Sequence, residues 1–236
     1  MPYINLIETM DAPFLYSQSA ISDWVLEGIE GENKRKYKWL LNHAGIDSRR
    51  IVLPDFGPDA NEKWLYKNPN EAPTVEERMA VFQERAGILI NKLQKPFFHK
   101  TRLAPNDITH LITVSCTGIS APGLDFQAQQ LLGLPSNVMR IGINFMGCYA
   151  AFHGMKLAKT ICEAEPNAKV VIVDIELCSL HFQTGTTLDE ILANGLFADG
   201  AAMILVSNKV EGLKMNSFFQ ETAANSENEM AWRLTG

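Results

Sequence analysis

Cys148 stands in the stretch Met139 to Ala158, where the residue pattern changes its period. Ile141, Ile143 and Phe145 alternate along its first half, the two-residue period of a buried strand. Met146-Gly147 then predicts a tight break, because glycine reaches backbone angles closed to other residues. From Cys148 onward Ala151/Phe152, Met155, Ala158 and Cys162 recur at helical spacing. A cysteine where a strand gives way to a helix is suited to nucleophilic chemistry. The unpaired amides and the dipole of a helix start stabilise a thiolate, which is the reactive form of the side chain. The same residue can instead be a small buried hydrophobe, since free cysteine is among the most buried residue types. Spacing alone leaves both readings open.

Positioning that sulfur requires a sheet. Ile108 to Cys116 and Lys169 to Glu176 are near-continuous apolar runs, as expected of strands covered on both faces. Met203 to Val206 is predicted as another strand, and Leu213 to Thr222 as one more, with Ala198 to Ala202 as the turn before Met203. Helices are predicted over Leu124 to Leu132, from Cys148 to about Ala164, and over Glu190 to Phe197. Such alternation argues for α/β architecture, a mainly parallel sheet with helices on both faces. Ligands of such sheets gather at strand carboxyl ends, where Cys116, Cys148 and Glu176 fall. The N-terminal part reads as a short strand Tyr3 to Ile7, a helix capped by Ser17 or Ser19, and a second helix ending at Gly45. The stretch Pro54 to Pro73 reads as loop, followed by a long helix opened by the capping box Thr74-Val-Glu-Glu77 and broken or kinked at Pro96.

Composition excludes several classes. In 236 residues, 46% are hydrophobic and 20% charged, an ordinary soluble balance. A net charge of −6 without a long basic run argues against nucleic acid as a partner. No apolar run is long enough for a membrane span, and no leader pattern opens the chain, so the expected compartment is the cytoplasm. The four cysteines have neither disulfide-framework nor zinc-ligand spacing, and no metal site is expected.

The motifs taken together resemble a known family. Asp107-Ile-Thr-His-Leu-Ile, Ser115-Cys-Thr-Gly118 and Ala121-Pro-Gly123 are similar to the stretch before the active site of type III polyketide synthases, the chalcone synthase family. Leu131-Leu-Gly-Leu-Pro135 and Gly147-Cys148-Tyr-Ala150 resemble its helix and nucleophile segment. Phe197 to Ala202 resembles a turn shared across the thiolase-like superfamily. Asn225 to Trp232 resembles the segment before the hairpin that joins the two halves of these enzymes.

The resemblance implies the N-terminal half of a thiolase-like fold: a mixed, mainly parallel sheet and a buried nucleophile helix. Residues 1–106 would form a mostly helical part, 107–223 the sheet core, and 224–236 the start of the hairpin. It implies a homodimer that loads an acyl group from acyl-coenzyme A onto Cys148 and extends it by decarboxylative Claisen condensation with malonyl-coenzyme A. Coenzyme A thioesters would be substrates, and no cofactor is expected. Glu176, Cys116, Cys178 and His181 match cavity-lining positions, Phe197 an aromatic gate, and Ala121 a position reaching toward the partner's cavity. Lys36 falls near a basic residue used for coenzyme A phosphates. The histidine and asparagine that complete the family's catalytic set lie in a second half, beyond residue 236. Two other readings stay open: a ketoacyl synthase III-like enzyme fed by an acyl carrier protein, and a non-catalytic acyl-binding or dimerisation half.

Each residue also has a plainer reading. Glu176 would be ion-paired or cap a neighbouring element, Phe197 would be core, Cys116 and Cys178 small hydrophobes, and His181 merely satisfied or exposed. Asp199 is expected to bond backbone amides, and His153 to be structural.

Overall fold

The computed structural model describes residues 1–57, 63–67, 71–183, 187–227 and 231. In chain order the elements are β1 (Tyr3–Asp11), β2 (Phe14–Ser17), α1 (Gln18–Val25), α2 (Gly31–Asn42), β3 (Ser48–Ile51), α3 (Val75–Thr101) and β4 (His110–Ser115). There follow α4 (Leu124–Leu131), β5 (Met139–Asn144), α5 (Ala150–Ala164), β6 (Lys169–Leu177), α6 (Leu188–Leu196), β7 (Asp199–Ser207) and β8 (Leu213–Lys214).

One six-stranded sheet organises them, in the order β5-β4-β6-β7-β1-β8. The β4 strand pairs in parallel with β5 and β6, whereas β7 is antiparallel to both β6 and β1, and β8 is antiparallel to β1. Four strands (β5, β4, β6 and β1) therefore run one way and two the other, the mixed, mainly parallel arrangement expected. The sheet draws on both ends of the chain, since β1 lies within residues 1–106 yet pairs along its whole length with β7. A second, two-stranded sheet joins β2 to β3.

Strand alternation sorts the apolar residues into two cores, one on each face. Val171, Val173, Ile175 and Leu177 of β6 face the larger cluster, which includes Phe82, Leu89, Ile90, Leu93 and Phe97 of α3. Val170 and Ile172 face the smaller cluster with Ile112, Val114, Ala150, Ala158 and Cys162, on the side of α5. Every residue of β4 is buried, as a strand covered on both faces requires. Gly154 lets α5 sit low on this face: a Cβ there would lie 3.3 Å from Val114 Cγ2 and 3.5 Å from Ile172 Cγ2.

Several sequence expectations need correction. The stretch Asp199 to Ala202 is the beginning of β7 rather than a turn, because its backbone pairs with β6 from Leu177 to Asp174. The expected strand over 213–222 contracts to β8, two residues. Pro96 does not end α3, which continues to Thr101 and stops at Arg102 in the left-handed conformation. β5 is an edge strand rather than a buried one: it pairs only with β4, and Ile141 and Ile143 are half-buried while its other residues are exposed. Of the expected hairpin approach, Asn225 to Glu227 and Ala231 are described, and the rest of 228–236 lies outside the described residues.

Candidate active site

The junction between β5 and α5 is more contorted than its glycine alone predicts. Gly147 has φ +80°, but Phe145 also takes a left-handed angle, φ 55°, which is unusual for a bulky side chain. Such backbone strain is of order 1–3 kcal/mol and is held only where the surroundings dictate it. The result is a sharp turn that delivers Cys148 to the surface. The helix itself starts two residues later than expected, at Ala150, with Tyr149 as N-cap. Cys148 thus precedes the cap instead of forming the first turn.

That helix start is electrostatically open. The starts of α3 and α6 are closed by complete capping boxes, Thr74 with Glu77 and Thr187 with Glu190. The start of α5 has no side-chain cap and no acidic residue in its first turn. No acidic side chain of that first turn competes with an anion for the positive end of the helix. The helix is not fully buried, however. Ala150, Gly154, Ala158 and Cys162 form its buried stripe, while Phe152 on the other side is 61% exposed.

Around Cys148 the sheet brings together three strand ends. Cys116 follows β4, Glu176 ends near the tip of β6, and Cys178 and His181 lie in the 3-10 turn after it. Glu176 binds the Cys116–Gly118 loop tightly. Its Oε1 accepts from the Cys116 amide at 2.8 Å and its Oε2 from Thr117 Oγ1 at 2.7 Å. Thr117 Oγ1 in turn accepts from the Leu177 amide at 2.9 Å, and the Thr117 carbonyl meets His181 Nε2 at 2.8 Å. Glu176 therefore does what its plain reading anticipated, tying a neighbouring element, at the same end of the sheet as Cys148. Burial raises its carboxyl above the ordinary value, opposed by the bonds from Thr117 and Cys116. Burial lowers His181.

The three thiols near the site differ. Cys148 is exposed, and Cys116 and Cys178 are partly buried. Burial, then the Glu176 charge, raises both Cys116 and Cys178, and Cys178 is also raised by Asp199, Cys148 and Cys116. The Cys116 sulfur points at the junction itself, 3.9 Å from the Gly147 carbonyl.

The remaining sequence candidates are spread more widely. Phe197 is the half-buried C-cap of α6, and its carbonyl accepts from Arg49 at 2.8 Å. Ala121 is exposed in the loop before α4. Lys36 is exposed on α2, which packs against α1 and α6 rather than on the Cys148 strand ends. Asp199 does bond backbone amides, but distant ones: Val52 N–H at 2.7 Å and Ser179 N–H at 2.8 Å, together with Ser179 Oγ at 2.6 Å.

Two participants escaped the sequence reading. Thr117 is the pivot of the loop network, and nothing in a Ser/Gly/Pro-rich loop distinguishes it. Asp174 shares the α5 face of β6 with Glu176, two residues away, and its signal was available: a second carboxylate interrupting an apolar strand at even spacing. Burial, then the Glu176 charge, pushes Asp174 up from 3.8 to about 6. The folded chain holds this proton more tightly than the unfolded chain does. Ionisation thus reduces stability progressively as pH rises from about 4 to about 6 and by a constant amount above that. Asp174→Asn is therefore expected to raise stability by about 1–2 kcal/mol at pH 7.5 and by nothing near pH 3.5, read by urea denaturation at both values.

Among the described residues no cluster of His, Cys, Asp or Glu is arranged to hold a metal ion, and no helix is long and apolar enough to cross a membrane.

Comparison with known proteins bears on the family and the fold. The family model for the N-terminal domain of chalcone and stilbene synthases matches residues 12–209. A probable polyketide synthase of Dictyostelium discoideum is 34% identical over 225 residues, covering 92% of this chain and 7% of that protein. Among solved structures, the C-terminal type III polyketide synthase domain of the Dictyostelium hybrid "Steely1" has a TM-score of 0.83 at 24% identity, covering 99% of this chain and 65% of that one. The 1,3,6,8-tetrahydroxynaphthalene synthase of Streptomyces coelicolor A3(2) also has a TM-score of 0.83, at 23% identity, covering 95% of this chain and 62% of that one. At these identities the two establish the fold. A brown-algal polyketide synthase from Ectocarpus siliculosus has a TM-score of 0.78 at 27% identity, covering 87% of this chain and 56% of that one. The chain therefore spans only part of each relative's length. It belongs to the chalcone and stilbene synthase family, the type III polyketide synthases, as a match to their N-terminal domain.

Proposed function

We propose that Cys148 accepts an acyl group from an acyl-coenzyme A thioester, as the loading step of type III polyketide synthesis with malonyl-coenzyme A as extender. The observation that carries this reading is the exposed sulfur of Cys148 beside an uncapped helix start, with two less exposed thiols around it. In loading, the Cys148 sulfur attacks the thioester carbonyl carbon and the thiol proton leaves. The tetrahedral oxyanion then collapses, the carbon–sulfur bond to coenzyme A breaks, and the released thiolate takes a proton. Amides at the α5 start are available to support that oxyanion.

In the same proposal Glu176, Cys116, Cys178 and His181 form the wall of the acyl cavity, with Glu176 fixing the Cys116–Gly118 loop. Phe197 serves as its gate, Ala121 reaches toward a second copy, and Lys36 meets coenzyme A phosphates. Condensation draws on the histidine and asparagine of the family's second half. The edge strand β5 and the exposed Met139, Phe145, Met146, Tyr149 and Phe152 around the nucleophile support a reading in which further protein surface, including a partner copy, covers this side.

Incubation with a short acyl-coenzyme A and intact-mass measurement tests the loading step. One acyl group per chain, released by neutral hydroxylamine as a thioester must be, is the expected result. An unmodified chain at saturating thioester refutes it.

A further inference from the structure

The cysteines around the junction carry an inference that does not depend on acyl transfer. β5, β4 and β6 are neighbours in the sheet, so the residues after their ends converge: Cys148 beyond β5, Cys116 after β4, Cys178 after β6. Cys116 holds the middle place. Its amide is fixed by Glu176 Oε1 at 2.8 Å, and its sulfur lies 3.9 Å from the carbonyl of Gly147, the residue bonded to Cys148. Cys148 is exposed, whereas the fourth cysteine, Cys162, is on the buried stripe of α5 with its sulfur 3.7 Å from the Val206 carbonyl.

We infer that Cys148 and Cys116 form a reversible oxidation site, in which peroxide oxidises Cys148 and Cys116 closes the product as an intramolecular disulfide. The Cys148 thiolate attacks one oxygen of hydrogen peroxide; the O–O bond breaks, hydroxide leaves and is protonated, and a sulfenic acid remains. Cys116 then loses its proton and attacks the Cys148 sulfur. The S–O bond breaks, the departing hydroxide takes that proton as water, and the S–S bond forms. Two thiols are oxidised, and one peroxide is reduced to two waters.

The surroundings select the partners. Cys148 reacts first because it is the exposed thiol. Cys116 resolves in preference to Cys178, because its sulfur points at the junction and because β4, which it follows, lies next to β5 in the sheet whereas β6 does not. The groups facing Cys116 are Glu176 from β6, the junction backbone at Phe145, Met146 and Gly147, and Cys178 from the turn after β6. Since Cys116 is itself raised, closure of the disulfide speeds up as pH rises from 7 to 9. The linkage spares Cys148 from irreversible over-oxidation, and a dithiol restores it.

Treatment of the 236-residue chain with stoichiometric hydrogen peroxide, followed by intact mass and non-reducing peptide mapping, tests this inference. A mass lower by about 2 Da is expected, with a Cys116–Cys148 cross-linked peptide that dithiothreitol abolishes. In Cys116→Ser no such loss occurs, and Cys148 advances to sulfinic acid that dithiothreitol does not reverse. A Cys162→Ser control behaves like the parent. A cross-link to Cys178 or between chains, or over-oxidation of Cys148 equally fast in parent and Cys116→Ser, overturns the assignment. If Cys116→Ser fails to fold by circular dichroism, the parent's peptide map decides alone. No thioester is present, so failure here is distinguishable from failure of acyl loading.

Discussion

Cys148→Ser is expected to lower the rate of acyl labelling by acyl-coenzyme A at least about 10³-fold while leaving the chain folded. A serine hydroxyl is almost wholly protonated at neutral pH, and among the described residues no general base is hydrogen-bonded at this position to activate it. The side chain is exposed, so the substitution is expected to change stability by no more than about 0.5 kcal/mol. The same substitution at Cys116 or Cys178 is expected to leave labelling within about tenfold of the parent, because neither is the acceptor in the proposed loading step. Rates come from intact-mass time courses, with denaturation curves alongside to separate lost chemistry from lost fold.

Asp199→Ala is expected to have the largest effect on stability, a loss of about 3–5 kcal/mol in urea denaturation. Asp199 stitches three parts of the chain together: the segment after β3 through Val52, the turn after β6 through Ser179, and β7, which it begins. Arg49 is buried beside it and donates to the Asn194 and Phe197 carbonyls, but its Nε and Nη2 are buried without a hydrogen-bond partner. Burial lowers Arg49 to about 10 against the pull of Asp199, and it raises Asp199 to about 6 against four favourable contacts. Desolvation thus outweighs attraction for both groups, and the pair as a unit is no net source of stability. Removing one member is different, since it leaves a buried guanidinium uncompensated and two amides unmet. The double variant Arg49→Met with Asp199→Ala is therefore expected to be more stable than Asp199→Ala alone, a non-additivity that a simple lost hydrogen bond does not produce.

These two residues show which kind of information the sequence carried. Cys148 was legible as a candidate from a local signal, the change from a period of two to helical spacing, and the choice between its two readings came from the resemblance to a known family. Ser17, one of the two caps the sequence allows there, and the Thr74 capping box were legible for the same reason, since their partners lie within a turn. Asp199 was legible as an amide-bonding residue, yet its partners Val52 and Ser179 are 147 and 20 residues away, and no local pattern names them. The turn expected at 198–202 failed for a related reason. Glycine and small residues suggest a break, but β6 and β1 on either side of β7 supply backbone partners that make it strand. β5 has the alternation of a buried strand and lies at the sheet edge, because periodicity reports which face is apolar and not how many neighbours a strand has. Thr117 and Asp174 complete the site through register across β4 and β6, which emerges only when the sheet is assembled.

The claim on which the functional reading turns is that, of the three thiols at the strand ends, the sulfur at position 148 is the one that takes the acyl group. Brief exposure of the chain to an acyl-coenzyme A, rapid acid quench and peptide sequencing by mass spectrometry measure this directly. The acyl mass is expected on the peptide containing Cys148, with the Cys116 and Cys178 peptides unmodified at the earliest times. Label appearing first on Cys116 or Cys178, or equally on all three, contradicts the account.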